Sequence, residues 1–404
     1  MAVFFDAVGK IYPVKETEKF KAVEVRNYVS SGWSKKTIKF NLRTNTGSSA
    51  LMEISALYRS NGDGMVDPDH RTYSRDKGWI LYSEKGEYVN QGNYRITLLN
   101  QSPYRVENVL KAYEEGRIST TDADKYNLHT DEEYNSLKKT YDQSVKRFLF
   151  DIDYVNYVEK LLANYDKYLK DKVVKVSGEW VFEYSSIRDT VYKKFVPNHL
   201  SYCYDEQPKE TITLKIPFIY KGKSPIVIID DKMVLAGYTP YYCRDFKSEK
   251  FKGKYLDQLE IIVPEKIEKA IQNRFVKEDP TVTSKYKIWS LIAEYINGAE
   301  KRDIEEIDLT PDEKFDIECG FRTLEEIKEE HAKADGTSNY NSNKVYGDKV
   351  TEIRLIKCGE KGLPENAEYE DGQTERPTHE VLENIGKSMG NDSNDEDVFD
   401  DVEI

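Results

Sequence analysis

Aromatic and cationic side chains are interleaved along several strand-like stretches: Trp33 with Lys35, Lys39 and Arg43; Tyr58 with Arg59; Arg71, Tyr73, Arg75, Lys77 and Trp79; and Tyr94 with Arg95. A ring presents a flat π-face and a neighbouring ammonium or guanidinium presents a phosphate contact, the mixture that holds a single-stranded polynucleotide whatever its bases. The chain has 30 Tyr against 15 Phe, and a Tyr ring can stack while its hydroxyl stays wet. The same mixture recurs far away in sequence, from Tyr238, Tyr241, Tyr242 and Arg244 through Phe246, Lys247, Lys250, Phe251, Lys252 and Lys254 to Tyr255. Tyr and Trp are also ordinary strand residues, with Lys solvating an outer face; the recurrence favours the functional alternative.

The segments that must position these side chains read as short strands. Residues 20–30, 33–43 and 49–58 are β-branched or aromatic runs bounded by turn-forming clusters, which predicts successive antiparallel strands. In the middle one Ile38, Phe40 and Leu42 fall on one face, while Trp33, Lys35, Thr37, Lys39, Asn41 and Arg43 share the other. A Gly/Asp-rich loop at 61–69 and strands near 78–83 and 93–99 complete about five strands, a number that suits a small barrel. Residues 106–170 turn to helical spacing, opened in part by the capping box Thr130…Glu133 and the stripe Tyr134, Leu137, Tyr141, Val145 and Phe148.

Strand character returns at 172–184, 211–220, 226–229 and 255–263, as a second barrel or as the completion of the first. Helices are expected over 265–334, with capping boxes at Thr310…Glu313 and Thr323…Glu326, and a last strand over 349–357. The fold class is therefore α+β: one or two OB-like barrels with a helical insertion and C-terminal helices. The expected organisation is 1–105, an OB-like nucleic-acid-binding region; 106–170, a helical insertion; 171–265, a second β-rich segment; 266–362, helices with a final strand; and 363–404, a disordered acidic tail.

Charge is distributed as sharply as the motifs. The whole chain of 404 residues carries a net charge of −13, yet residues 301–404 alone hold 13 basic against 30 acidic side chains, so residues 1–300 are slightly basic. The first fifty residues hold nine basic against four acidic groups. An acidic tail on a basic body is a pattern of nucleic-acid-binding proteins. After Gly362 too little apolar surface remains to offset ordering entropy. The closing EDVFDDVEI alternates carboxylates with apolar anchors, so Asp397, Phe399, Asp400, Asp401 and Ile404 are candidate partner-docking residues. The same acids can compete with phosphates for the body's own basic surface at low salt.

A basic, aromatic-rich barrel, a polar linker and an acidic tip ending in apolar residues resemble the plan of bacterial and phage single-stranded DNA-binding proteins. The closing Asp400, Asp401, Val402, Glu403 and Ile404 resemble their Asp-rich tip, although that tip usually ends in Pro-Phe. The chain is longer and more helical than the bacterial members, so the resemblance points to a phage type. It implies single-stranded DNA as ligand and replication or recombination proteins as partners of the tail.

Motifs for catalysis and metals do not assemble. Gly222, Lys223 and Ser224 look like the end of a phosphate-binding loop, but Pro217 occupies the place of the earlier Gly. A calcium loop around Asn61–Asp69 would start at Arg59 and end at His70, without the carboxylates the ion needs. His379 and Glu380 lack the second His of a zinc-protease helix. His199 and Cys203 could share a metal, but no further ligands are evident nearby. The helix pair at 311–319 and 324–334 has a Glu-rich second helix that would repel phosphate.

Four widely spaced cysteines, Cys203, Cys243, Cys319 and Cys358, fit a reducing compartment. No signal peptide or membrane span is read, which places the protein in the cytoplasm, that of a bacterial host if it is phage-encoded. The sequence reading is thus a non-enzymatic, cofactor-free single-stranded DNA binder with no metal and no membrane partner. Its nucleic-acid-binding candidates are Trp33, Lys35, Lys39, Arg43, Tyr58, Arg59, Arg71, Tyr73, Arg75 and Trp79. The alternative is a phage structural or assembly protein whose body makes protein contacts and whose tail only solubilises it.

Overall fold

Alternation along the strand at Trp33–Arg43 becomes two physical faces: Ile38, Phe40 and Leu42 are fully buried, while Lys35, Lys39 and Asn41 are half-buried and Arg43 is exposed. The computed structural model describes residues 2–18, 20–28, 31–61, 65–185, 190–221, 224–242, 254–276, 286–303, 309–324, 326–327 and 344–361. In chain order its N-terminal elements are β1 (Val3–Pro13), β2 (Val23–Tyr28), β3 (Trp33–Arg43), β4 (Ser49–Arg59), β5 (Arg71–Ser74), β6 (Gly78–Leu81), a 3-10 helix (Tyr82–Gln91) and β7 (Tyr94–Thr97). Then come α1 (Pro103–Glu114), α2 (Thr120–Tyr126), α3 (Asp131–Ser144), β8 (Val145–Phe148), α4 (Asp151–Ala163), α5 (Tyr165–Tyr168), β9 (Val173–Ser185) and β10 (Thr190–Tyr202). The remainder is β11 (Ile212–Lys221), β12 (Ile226–Ile229), β13 (Lys232–Tyr242), β14 (Lys254–Ile262), α6 (Glu265–Val276), β15 (Tyr286–Asp303), α7 (Pro311–Glu318) and β16 (Lys344–Lys361).

Strand pairing closes two rings. In the first, β1 pairs β3, β3 pairs β4, β4 meets β10 in parallel at Met52 and Phe195, β10 pairs β9, and β9 returns to β1. In the second, β11 pairs β13, β13 pairs β14, β14 meets β16 in parallel at Ile262 and Arg354, β16 pairs β15, and β15 returns to β11. Each ring therefore joins its strands in the order first, second, third, fifth, fourth, and a helix, α4 or α6, lies between third and fourth. This is the five-stranded Greek-key barrel of OB type. Even the accessory strands repeat: β2 lines β3 as β12 lines β13. The β12–β13 turn takes two left-handed residues, Asp230 (φ 48) and Asp231 (φ 59), as a tight two-residue hairpin requires.

The two rings share a seam. Phe4–Ala7 of β1 pair antiparallel with Ile212–Lys215 of β11, so each ring's first strand lends half an edge to the other. The long β15 also reaches the first barrel: Asn297 Nδ2 donates to the Ser49 carbonyl at 3.0 Å. Next to it Gly298 (φ +154) comes so close to Gly47 that a Cβ would stand 2.3 Å from the Gly47 carbonyl oxygen. One continuous apolar core runs from Phe5 and Phe40 in the first ring to Leu259 and Leu291 in the second. Phe195 touches Phe5 and Trp180 of its own ring, centroids 5.1 and 5.6 Å away, and across the seam Tyr295 of β15 at 5.1 Å.

Several sequence expectations change here. The stretch 265–334 is not helical throughout: α6 and α7 form, but Tyr286–Asp303 is the strand β15. Its Tyr/Ile/Trp-rich run is claimed by pairing with both β11 and β16. Strands β1, β8, β10 and β13 are additions to the expected set: α3 ends at Ser144, and Val145 and Phe148, expected to continue its helical stripe, lie on β8, which is claimed by pairing with β7. The first ring draws β9 and β10 from beyond the helical insertion. The capping boxes of α3 and α7 form with both reciprocal hydrogen bonds, and Thr323 and Glu326 exchange the same pair. Among the described residues no helix is long and apolar enough to cross a membrane. The tail residues Asp397, Phe399, Asp400, Asp401 and Ile404, the cluster members at 243–253, and Gly222, Lys223 and His379 lie outside the described residues.

Helix α4 closes the first barrel with Tyr154, Val155, Val158 and Leu161 buried against it. Its first residue, Asp151, is carried inside, and burial pushes its carboxyl up to about 6 from the ordinary 3.8, against the pull of backbone N–H groups of Ile152 and Leu57. Because the folded pKa lies above the unfolded one, the neutral acid's contribution is full below about 3.8 and lost as pH rises through about 6. Asp151→Asn keeps an acceptor for the Ile152 N–H and removes the buried charge. It is expected to gain up to roughly 3 kcal/mol at pH 8 and little at pH 4. Thermal midpoints of the two proteins across that range check this; a gap that stays constant with pH refutes it.

Candidate nucleic-acid interface

The outward residues of β3 face the outward residues of β4 in register: Trp33 with Arg59, Lys35 with Leu57, Thr37 with Ser55, Lys39 with Glu53, Asn41 with Leu51 and Arg43 with Ser49. Trp33, Lys35, Lys39, Arg43 and Arg59 thus share one face, as the alternation predicts. Tyr58 does not join them. It is only 4% exposed and points into the barrel, because on β4 the even positions face inward; its ring is unavailable for stacking.

Carboxylates outside the sequence candidates temper this face. Lys39 lies 3.9 Å from Glu24, which also holds Arg26, and its ammonium sits 4.9 Å from the Phe20 ring. Lys194 of β10 bridges Glu53 at 3.4 Å and Glu183 at 2.8 Å. Burial and the Lys194 ammonium push the Lys35 pKa down, with Glu183 and Glu53 pulling it back up. The centre of the face is therefore a mixed network of charges, while its end at Arg43, whose guanidinium covers Tyr12 at 5.0 Å, stays open. The β4 alternation is enough to place Glu53 on this face; Glu183 and Lys194 arrive from a distant hairpin that local pattern does not connect to it.

A pair of exposed aromatic side chains lies on the β5–β6 hairpin. Register places Tyr73 opposite Trp79 and Arg71 opposite Leu81. Tyr73 and Trp79 are 62% and 65% exposed, their ring centroids are 5.5 Å apart, and the Arg71 guanidinium lies 5.7 Å from the indole centroid. Arg75 and Lys77 are exposed in the turn. Ser74 and Ile80, on the other face, are buried. One side of the hairpin is thus anchored, and the other offers two rings and cations to the solvent.

A histidine joins hairpin and barrel face. His70, just before β5, packs edge-on against Trp33 at 5.9 Å and at a tilt against Phe150 at 5.5 Å. Burial lowers its pKa, and the neutral imidazole accepts the Arg59 N–H on Nδ1 at 3.5 Å. Arg59 is in turn held by Asp67 at 3.2 Å, which fixes the start of the loop. Spacing in the sequence gives no sign of His70, because its role depends on the chain doubling back after β4.

No family model matches this chain. No curated protein matches it either. Among solved structures it is similar to the wild-type single-stranded DNA binding protein from Thermus aquaticus, at 6% identity and a TM-score of 0.29, covering 92% of this chain and 98% of that one. It is also similar to a deletion mutant of the same protein, at 5% identity and a TM-score of 0.27, covering 91% and 97%.

No group of three or more His, Cys, Asp or Glu side chains could hold a metal ion among the described residues. His199 and Cys203 both lie at the end of the β9–β10 sheet, and the Cys203 thiol faces Asp205 at 3.7 Å. What the described side chains can do together is stack planar rings on Trp79 and Tyr73 and set phosphates against Arg71, Arg75, Lys77 and Arg43.

Proposed function

We propose that this chain is a non-enzymatic, sequence-tolerant single-stranded DNA-binding protein. The observation that carries the reading is the solvent-facing Arg71, Tyr73 and Trp79 surface of the β5–β6 hairpin, linked by His70 and Trp33 to the outer face of β3 and β4. The face of the second and third strands is where OB barrels take oligonucleotides. Stacking on rings tolerates any base, and the cations track the backbone. Role and regulation rest on the sequence: action in DNA replication or recombination, with the acidic residues 363–404 competing for the basic surface and Asp397, Phe399, Asp400, Asp401 and Ile404 recruiting partners.

Fluorescence anisotropy of labelled oligo-dT and of duplex, with the full chain and with a truncated chain ending at Gly362, tests both parts. Salt-sensitive binding that favours the single strand is expected, with the truncated chain binding at least as tightly at low salt. No binding by either protein would sink the reading in favour of a purely protein-contacting body. Weaker binding after truncation would sink the competing tail alone.

A further inference from the structure

The two barrels repeat one another down to their accessory strands, and they differ where those strands meet solvent. On β2, Glu24 and Arg26 form an ion pair at 2.6 Å on either side of the exposed Val25. Charges on an edge strand keep other chains from pairing with it. At the equivalent place in the second barrel β12 reads Ile226, Val227, Ile228 and Ile229, with no charge and no proline inside it. Val227, Ile228 and Ile229 are 38%, 64% and 39% exposed. The same architectural edge is thus blunted in one barrel and left apolar in the other.

The backbone of this edge is open at one residue. Among the described residues β12 pairs with β13 alone. Ile229 stands opposite Lys232 across the tight turn, and the Pro225 carbonyl accepts the Ala236 N–H at 2.8 Å. Antiparallel alternation therefore turns the N–H and C=O of Val227 and Ile229 toward β13 and those of Ile226 and Ile228 away. Ser224 Oγ takes the Ile226 N–H at 3.2 Å. Ile228 is left with a donor and an acceptor that both point outward, on the residue whose side chain is the most exposed of the strand.

Such an edge is completed by another strand, and its chemistry selects which. Antiparallel pairing about a two-fold axis at Ile228 lets the Ile228 N–H of each copy donate to the Ile228 carbonyl of the other. Val227 then meets Ile229, so the centre of the contact holds only β-branched aliphatic side chains, which pack well across strands. The acidic end of this chain suits the edge less, because Asp400, Asp401 and Glu403 would lie beside Asp230 and Asp231 of the hairpin turn. We propose that β12 is a self-pairing edge through which two copies of this chain form a two-fold dimer, with each copy's Ile228 opposite the other's. Three part-exposed side chains and a short edge bury a few hundred Å² per copy, below the roughly 800 Å² per partner of a standard stable interface. The dimer is therefore weak and concentration-dependent, and it is independent of what the β5–β6 hairpin binds.

Sedimentation velocity of the full chain from micromolar to submillimolar concentration, without nucleic acid, is expected to show a reversible monomer–dimer equilibrium. Ile228→Lys sets like charges opposite one another and should raise the dissociation constant about tenfold or more, whereas Ile228→Val should leave it within about twofold. Because Ile228 is 64% exposed, neither substitution should move the thermal midpoint. Register is read by mild oxidation of cysteine variants. Ile228→Cys should yield a disulfide-linked dimer, since its two Cα atoms stand about 5.5 Å apart. Val227→Cys should yield no more than the unaltered chain with its native cysteines. A full chain that stays monomeric throughout overturns the proposal. So does a dimer that Ile228→Lys leaves as tight, or that Val227→Cys traps as readily as Ile228→Cys. If Ile228→Lys lowers the midpoint, the two cysteine variants decide. Dimers that appear only after truncation at Gly362 would place the tail on the edge instead of a second copy, and overturn it as well.

Discussion

Replacing Trp79 by Ala is expected to weaken oligo-dT binding by about 1–3 kcal/mol, roughly 5- to 150-fold in Kd, and to leave the thermal midpoint where it is. Both halves follow from the same number: an indole 65% exposed contributes little to the core and offers its face to a ligand. The four tryptophans make the measurement direct. Trp180 and Trp289 are 4% exposed, so quenching of indole emission on adding oligonucleotide reports mainly Trp79 and Trp33. In Trp79→Ala most of that quenching should vanish together with the affinity. Retained affinity would take Trp79 out of the interface, and a fallen midpoint would show that the hairpin serves the fold rather than a ligand. Tyr58→Phe makes a useful contrast, since Tyr58 faces the barrel interior and the substitution should leave binding unchanged.

How much of this is legible without coordinates depends on where the information lies. Alternation on β3 is local, so its two faces, the Trp33, Lys35, Lys39 and Arg43 row and the Ile38, Phe40 and Leu42 interior, can be read from the residues alone. The same rule applied to β4 turns Tyr58 inward, since Met52 and Ile54 share its parity and are buried. Capping boxes at Thr130, Thr310 and Thr323 are equally local, and they form. What local pattern does not carry is closure. The parallel contact of β4 with β10 joins Met52 to Phe195 across a helical excursion, and no periodicity announces it. β1 hides because its Gly9 and Asp6 break an apolar run, although its odd positions Val3, Phe5, Ala7 and Ile11 are all buried. β15 resembles a helix because its glutamates and alanines fit either period. The charge network of Glu53, Glu183 and Lys194 is invisible for the same reason as closure: its members come from strands that meet only in the folded barrel.

Closure also sets the largest expected effect on stability. Phe195 is 4% exposed and lies at the parallel junction of the first ring, against Phe5 and Trp180 within that ring and Tyr295 from the second. Truncation to Ala removes a ring from three aromatic partners that are fixed by their own strands and cannot collapse into the space, which costs about 3–5 kcal/mol. Because the rings share the β1–β11 pairing and one apolar core, the loss should not stay in the first barrel. In a urea titration followed by far-UV circular dichroism and by emission of the buried Trp180 and Trp289, one from each ring, Phe195→Ala is expected to move a single transition to lower urea with its slope unchanged. Two separated transitions, with only the one reported by Trp180 displaced, would instead mean that the barrels fold independently and that the seam contributes little. In that case the hairpin and the β3–β4 face would be properties of the first barrel alone, and a strand bound there would stabilise only that half of the chain.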